Sequence, residues 1–136
     1  MKIDGRCHCG RVTFKAEVDP VTVGICHCTD CQMLSGSAYR VSVRAAARDF
    51  KLSGDVSTYI KTADSGNKRR HAFCPNCGTP IHATQLESPT AYTLRVGTIR
   101  QRAALVPQRQ IYCQSAVPWS GNISEVPKLD LTILQR

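Results

Sequence analysis

Three thiols fall within six residues of this chain, at Cys26, Cys28 and Cys31 in the run Cys26-His27-Cys28-Thr29-Asp30-Cys31. In an extended segment, side chains two apart point to the same side, so Cys26 and Cys28 project together. A sharp bend after Cys28 returns Cys31 to the same point. Three sulfurs around one spot suit a cation that takes thiolate ligands, Zn2+ above all. Three protein ligands leave the fourth tetrahedral position open, which is the arrangement of a catalytic rather than a structural zinc.

A second motif, Cys74-Pro75-Asn76-Cys77-Gly78, has the composition of a zinc knuckle. In such a turn backbone N–H groups point at the sulfurs, and a glycine after the second cysteine takes a positive φ. The knuckle supplies two ligands and needs two more. Cys7 and Cys9 would complete a four-thiolate site and leave the triplet with its own metal. The alternative joins Cys26 and Cys28 to the knuckle, strands Cys31 and leaves Cys7 and Cys9 without a role. Spacing favours the first division, in which the four-thiolate site closes a loop of about 70 residues and acts as a staple. Cys113 reads either as a small buried hydrophobe or as a thiol that fills the fourth position of the triplet. His8 and His27, each the middle residue of a C-x-C pair, are expected to point away from metal. Asp30 is expected to cap the turn between Cys28 and Cys31.

These ligands sit in a chain of 136 residues that reads as a single domain over 1–136, with 42% hydrophobic and 21% charged residues, an ordinary globular balance. No run of about 18 apolar residues is present, so no helical membrane span is expected. Met1 to Gly5 lacks the apolar segment of a signal peptide, so the expected setting is the reducing cytoplasm, where cysteines stay as thiols. The formal charge is +8. A four-thiolate zinc contributes −2 and a three-thiolate zinc −1, which leaves the loaded protein near +5, basic but not enough to imply nucleic acid as a partner.

The elements that must position the cysteines read as short strands. Val12, Phe14, Ala16 and Val18 alternate with polar neighbours and predict a half-buried strand over 10–18, opened by the first cysteine pair. Asp19-Pro20 turns the chain, and an extended run over 21–25 leads into the triplet. Residues 29–34 predict one short helical turn with Thr29 at its N-cap, broken by Ser35-Gly36-Ser37, where Gly36 would let backbone pass close to a ligand. Further strands are predicted over 38–44, 50–52, 56–62, 68–73, 81–84, 92–96 and 110–113. The strand over 68–73 returns antiparallel across the turn Asp64-Ser65-Gly66-Asn67 and delivers the knuckle. Residues 101–105 are ambiguous, and Trp119 reads as a core plug or a substrate platform. The sum is a mainly β fold with at most short helices.

Cys7-His8-Cys9-Gly10, CHCTDCQMLSGSAY from Cys26 to Tyr39, KTADSGNKRRHAFCPNCGTPI from Lys61 to Ile81, and RVGTIRQRAAL with RQIYCQSAVPW ending at Trp119 carry a family resemblance. Together they resemble the glutathione-dependent formaldehyde-activating enzyme family, which also includes centromere protein V, over about residues 3–119. The resemblance implies a small complex β fold of the Mss4-like type with two Zn2+ per chain. It places a structural zinc on Cys7, Cys9, Cys74 and Cys77 and a catalytic zinc on Cys26, Cys28 and Cys31. The implied activity is a carbon–sulfur lyase type, joining glutathione and formaldehyde as S-(hydroxymethyl)glutathione, with glutathione and a small aldehyde as partners.

An open zinc can capture a thiol and lower its pKa, or polarise an aldehyde oxygen. Three thiolates weaken its Lewis acidity, so thiol capture is the expected role. Glutathione carries two carboxylates, for which Lys68, Arg69, Arg70, Arg95, Arg100 and Arg102 are candidate contacts, set against their role as solvated strand faces. A different class of function is a non-catalytic zinc-stabilised module whose basic surface meets nucleic acid or another protein.

Overall fold

The computed structural model describes residues 1–130. Its strands are β1 (Lys2–Arg6), β2 (Thr13–Val18), β3 (Gly24–Cys26), β4 (Arg40–Ser53), β5 (Ser57–Thr62), β6 (Lys68–Phe73), β7 (Pro80–Gln85), β8 (Ala91–Arg95) and β9 (Arg109–Ile111). One α-helix, α1 (Thr29–Ser35), interrupts them, and short 3-10 turns fill several connections. The mainly β expectation holds. All nine strands join one sheet in the order β1-β2-β4-β8-β7-β6-β5, with β3 paired to β4 and β9 added beside β3. Every pairing is antiparallel except the parallel β3–β9 ladder.

The 14-residue β4 is the hub, because it pairs with β2, β3 and β8 along its length. The sequence suggested two strands here, over 38–44 and 50–52. They are one strand, and the stretch between them lies where the β2 register jumps from Ala16↔Phe50 to Val18↔Ala45. Such an irregularity breaks the period of two without ending the strand. Strand β1 was not anticipated: only Ile3 of its five residues is buried, so it carries no alternating pattern. Of the run over 21–25 expected to be extended, Val21 and Thr22 instead join Pro20 in a 3-10 turn capped by Asp19, whose carboxylate accepts from Val21 N. The ambiguous stretch is also a 3-10 turn, at Arg102–Ala104.

The central strands divide their side chains cleanly. Val43 stands opposite Leu94, Leu94 opposite His82, and His82 opposite Ala72, and this row faces the core. Phe14, Ala16 and Val18 of β2 join it with Ile81 and Ile99. His82 is part of that packing, edge-on to Tyr92 at 4.8 Å and to Phe50 at 5.5 Å between ring centroids. The opposite face of the same strands carries Arg40, Ser42 and Arg44 of β4, Thr93 and Arg95 of β8, and Arg69 and His71 of β6. It is a polar, cationic face, and Cys26 lies at its edge, directly opposite Arg40.

Helix α1 departs from the expected caps at both ends. Its N-cap is Cys28, not Thr29, and the Cys28 sulfur accepts from Cys31 N at 3.3 Å. Sulfur has taken the place a hydroxyl or carboxylate usually holds. Gly36 sits at φ 64 as the left-handed C-terminal cap, with its N–H directed at Gln32 and Met33 carbonyls. A Cβ there would meet nothing within 4 Å, so backbone conformation, and not close approach to a ligand, explains the glycine. Trp119 is 61% exposed and plugs no core. Among the described residues no helix is long and apolar enough to cross a membrane.

Candidate metal centres

Two turns build the first centre. Between β6 and β7, Cys74 N donates to Thr79 O and Gly78 N to Cys74 O at 2.9 Å, and Gly78 takes φ 77 as the knuckle requires. Between β1 and β2, Cys7 N donates to Val12 O and Gly10 N to Cys7 O, while Val12 N points at Cys7 Sγ at 3.3 Å. His8 N donates to Thr79 Oγ1 at 3.0 Å and ties the two turns together. The sulfurs of Cys7, Cys9, Cys74 and Cys77 then lie within 4.8 Å of one another. Cys7 and Cys9 sulfurs are 3.5 Å apart, and those of Cys9 and Cys74 3.7 Å. Two Zn–S bonds at the tetrahedral angle hold their sulfurs about 3.8 Å apart, so the donor set fits zinc. The Thr79 hydroxyl, 3.2 Å from Cys77 Sγ, holds that thiol down at about 5, toward the thiolate a metal takes.

The second centre brings together Cys26 at the end of β3, Cys28 at the cap of α1 and Cys31 in its first turn, again within 4.8 Å of one another. The bend after Cys28 is the start of the helix. Burial first, and then the neighbouring sulfurs, push the Cys31 thiol up to about 12. Burial raises Cys26 as well, while Cys28 is lowered, so the three sulfurs do not all hold thiolate charge together, and a divalent cation is what would stabilise it. All eight cysteines are free of disulfides. The pairing that spacing favoured is therefore the one whose sulfurs converge.

Cys113 is exposed and belongs to neither group, which removes the buried-hydrophobe reading and gives no support to its closing the triplet. His27 is buried with Nε2 2.7 Å from Gln110 Oε1, and His8 is exposed; neither joins a sulfur group. Asp30 pairs with Lys61 of β5 at 2.8 Å, which pins the first turn of α1 across the sheet. Gln32 of α1 donates to His27 O and Ser115 O, and His27 N donates to Ile111 O, so the 109–115 segment is laced to the triplet.

The basic candidates separate by face. Arg95 and Arg69 stand on the face that ends at Cys26, whereas Arg70, opposite Thr84 and Ile60, stands on the other. Arg100 pairs with Asp4 at 2.7 Å and, with Arg102, lines a cavity of about 750 Å³ between β1, β2 and the 97–102 segment, away from the triplet. That cavity touches Cys7 and Thr79 but none of Cys26, Cys28 and Cys31. Sequence reasoning missed Arg40 and His71. The signal for Arg40 was the alternation Arg40, Ser42, Arg44 along a strand, but only the β3–β4 register sets it against Cys26. Burial foremost, with Arg40 beside it, pulls Arg95 down to about 9, and burial foremost, with Arg95, lowers His71 to about 4, so His71 is neutral at pH 7.

A family model described as glutathione-dependent formaldehyde-activating enzyme matches residues 2–115. The chain belongs to this family. The formaldehyde-activating family match takes in all seven clustered cysteines. A curated relative, an uncharacterized lyase of Schizosaccharomyces pombe, is 22% identical over 89 residues, 65% of this chain. The match spans 62% of that relative's own length. A solved structure from Rhodobacter sphaeroides, a structural-genomics target, shares the fold with a TM-score of 0.61 and 21% identity, over 79% of this chain and 98% of that one.

Proposed function

We propose that this protein is a zinc-dependent, lyase-type enzyme that makes and breaks the adduct of a thiol with a small aldehyde, with glutathione and formaldehyde as the reacting pair. The observation that carries the reading is the convergence of Cys26, Cys28 and Cys31 without a fourth protein donor among the described residues, in a chain of the formaldehyde-activating family. Cys7, Cys9, Cys74 and Cys77 take the structural role in this reading, because they join two hairpins far apart in sequence. The similarity to a protein named as a lyase supports the same reaction class.

Zinc held by the triplet would supply a position at which an incoming thiol loses its proton near neutral pH. The chain's own residues do the rest. Asp30 and Lys61 fix α1 on the sheet, and Gln32 holds the 109–115 segment beside it. Arg40 and Arg95 add positive potential from a buried position, which favours thiolate over thiol. His71 accepts from Arg95 at Nδ1, so its single proton sits on Nε2. Adduct formation joins sulfur to the carbonyl carbon, shifts the C=O π pair to oxygen and delivers the thiol proton there; the reverse step cleaves the same C–S bond. No oxidant or reductant enters.

The test is the exchange rate between formaldehyde, glutathione and S-(hydroxymethyl)glutathione, followed by NMR with zinc-loaded protein. Wild type should accelerate exchange and folded Cys28→Ser should not. Equal rates with and without wild-type protein would overturn the reading. The alternative, a basic binding module, has less to rest on, because charges of both signs are scattered along the chain and no run of Lys and Arg exceeds the three residues Lys68, Arg69 and Arg70.

A further inference from the structure

We propose that Arg40 and Arg95 form a carboxylate-binding subsite beside the cysteine triplet, so that the thiol this protein accepts must itself be an anion. The inference rests on the reading of the triplet as the thiol site and adds the feature that selects among thiols.

Register places the two guanidiniums. Arg40 lies directly across the ladder from Cys26, and Arg95 directly across from Ser42, two residues along β4 and on the same face. Both residues are 8% exposed. A buried cation ordinarily has a carboxylate partner. These have none: the ion pairs among the described residues are Arg48–Asp49, Lys61–Asp30 and Arg100–Asp4. Arg95 donates from Nη1 to Ser42 Oγ and from Nη2 to His71 Nδ1, both at 3.2 Å, and its Nε–H is buried with no acceptor. Both of its hydrogen-bond partners are neutral groups, since His71 is uncharged at pH 7.

The charge balance points the same way. Asp30, the acidic residue next to the triplet, is neutralised by Lys61. Three thiolates with Zn2+ carry −1 against +2 from Arg40 and Arg95, and half-buried Arg69 adds to the excess. One carboxylate would balance the pair, and a guanidinium fork binds that group through parallel charge-assisted hydrogen bonds. A dicarboxylate thiol such as glutathione could also use Arg69.

The probe is S-methylglutathione, which keeps both carboxylates and cannot react through sulfur, compared with its dimethyl ester by calorimetric titration of the zinc-loaded full chain. The acid should bind wild type roughly ten- to a hundredfold more tightly than the ester, the range for charge-assisted hydrogen bonds. Arg95→Gln and Arg40→Gln should each bring the acid toward the ester's affinity and leave the ester unchanged, with Arg95→Lys intermediate. Equal binding of acid and ester by wild type overturns the subsite, as does failure of the acid to bind; neither comparison depends on a variant folding. Unchanged acid affinity in both folded Gln variants overturns it too. Acid-selective binding without any effect on formaldehyde exchange would sink the proposed reaction and leave the subsite standing, whereas catalysed exchange without acid selectivity would do the opposite.

Discussion

Single residues on this sheet are decided by which face they occupy. His82 stands on the core face among aromatic rings, and burial foremost, with a smaller push from Arg95, lowers it to about 4. The unfolded chain takes up that proton near pH 6.5 and the folded protein only near 4, so stability present above pH 6.5 is lost as pH falls through this window. Replacing His82 with Phe keeps the ring contacts and removes the titration. Wild type should lose roughly 2–3 kcal/mol more than His82→Phe between pH 6.5 and 4, measured by denaturant melts with metal loaded in both. The same logic splits two adjacent arginines. Arg69→Gln should weaken glutathione binding by roughly three- to tenfold, less than loss of a buried charged contact because Arg69 is half-buried and solvent screens it. Arg70→Gln, on the other face, should leave binding as it was, and an equal effect of both would remove face as the determinant. Face was legible in the sequence where alternation was regular, as at Phe14, Ala16 and Val18. It was not legible for Arg40, whose neighbour across the ladder is set by pairing between segments and not by its own surroundings.

Elements explain why the two cysteine groups should differ in what their loss does. The first joins the β1–β2 turn to the β6–β7 turn, while the second is contained in the end of β3 and the first turn of α1. A structural zinc supplies on the order of 10 kcal/mol of folding free energy in small domains, comparable to a whole domain's net stability. Cys77→Ser should therefore abolish the cooperative thermal transition. Cys28→Ser should keep it, because serine is itself a favoured N-cap for α1, and should lose metal from the second centre alone. Circular dichroism melts with zinc analysis read both outcomes; equal destabilisation would make the triplet a structural element as well. The hairpin carrying the knuckle was readable from its turn residues and alternating strands. The length of β4, the existence of β1 and the sulfur cap of α1 were not, since each depends on a partner strand or on a chemical group that propensities do not describe.

For the whole molecule the first consequence is stoichiometric: protein purified without added zinc should hold close to two equivalents, and a reproducible value near one would leave only the four-thiol group loaded. The second concerns time. Cys26, Cys28 and Cys31 are complete once residue 31 has been made, but Cys7 and Cys9 must wait for residues 74 and 77. Until then the growing chain presents two C-x-C pairs, and those four thiols can fill one tetrahedral shell by themselves. Zinc caught in that shell would hold the β1–β2 turn against the wrong partner and would have to be released before the knuckle could close. Refolding of the full chain should therefore be slower in excess zinc than at two equivalents, and replacing Cys26 and Cys31 together with Ser, which leaves the early shell one ligand short, should narrow the difference. Equal rates at the two zinc levels would show that the native pairing wins before the early shell closes. Slower folding in excess zinc would make metal supply act on the biogenesis of this fold as a matter of sequence order, with excess early zinc a hindrance and late zinc a lock.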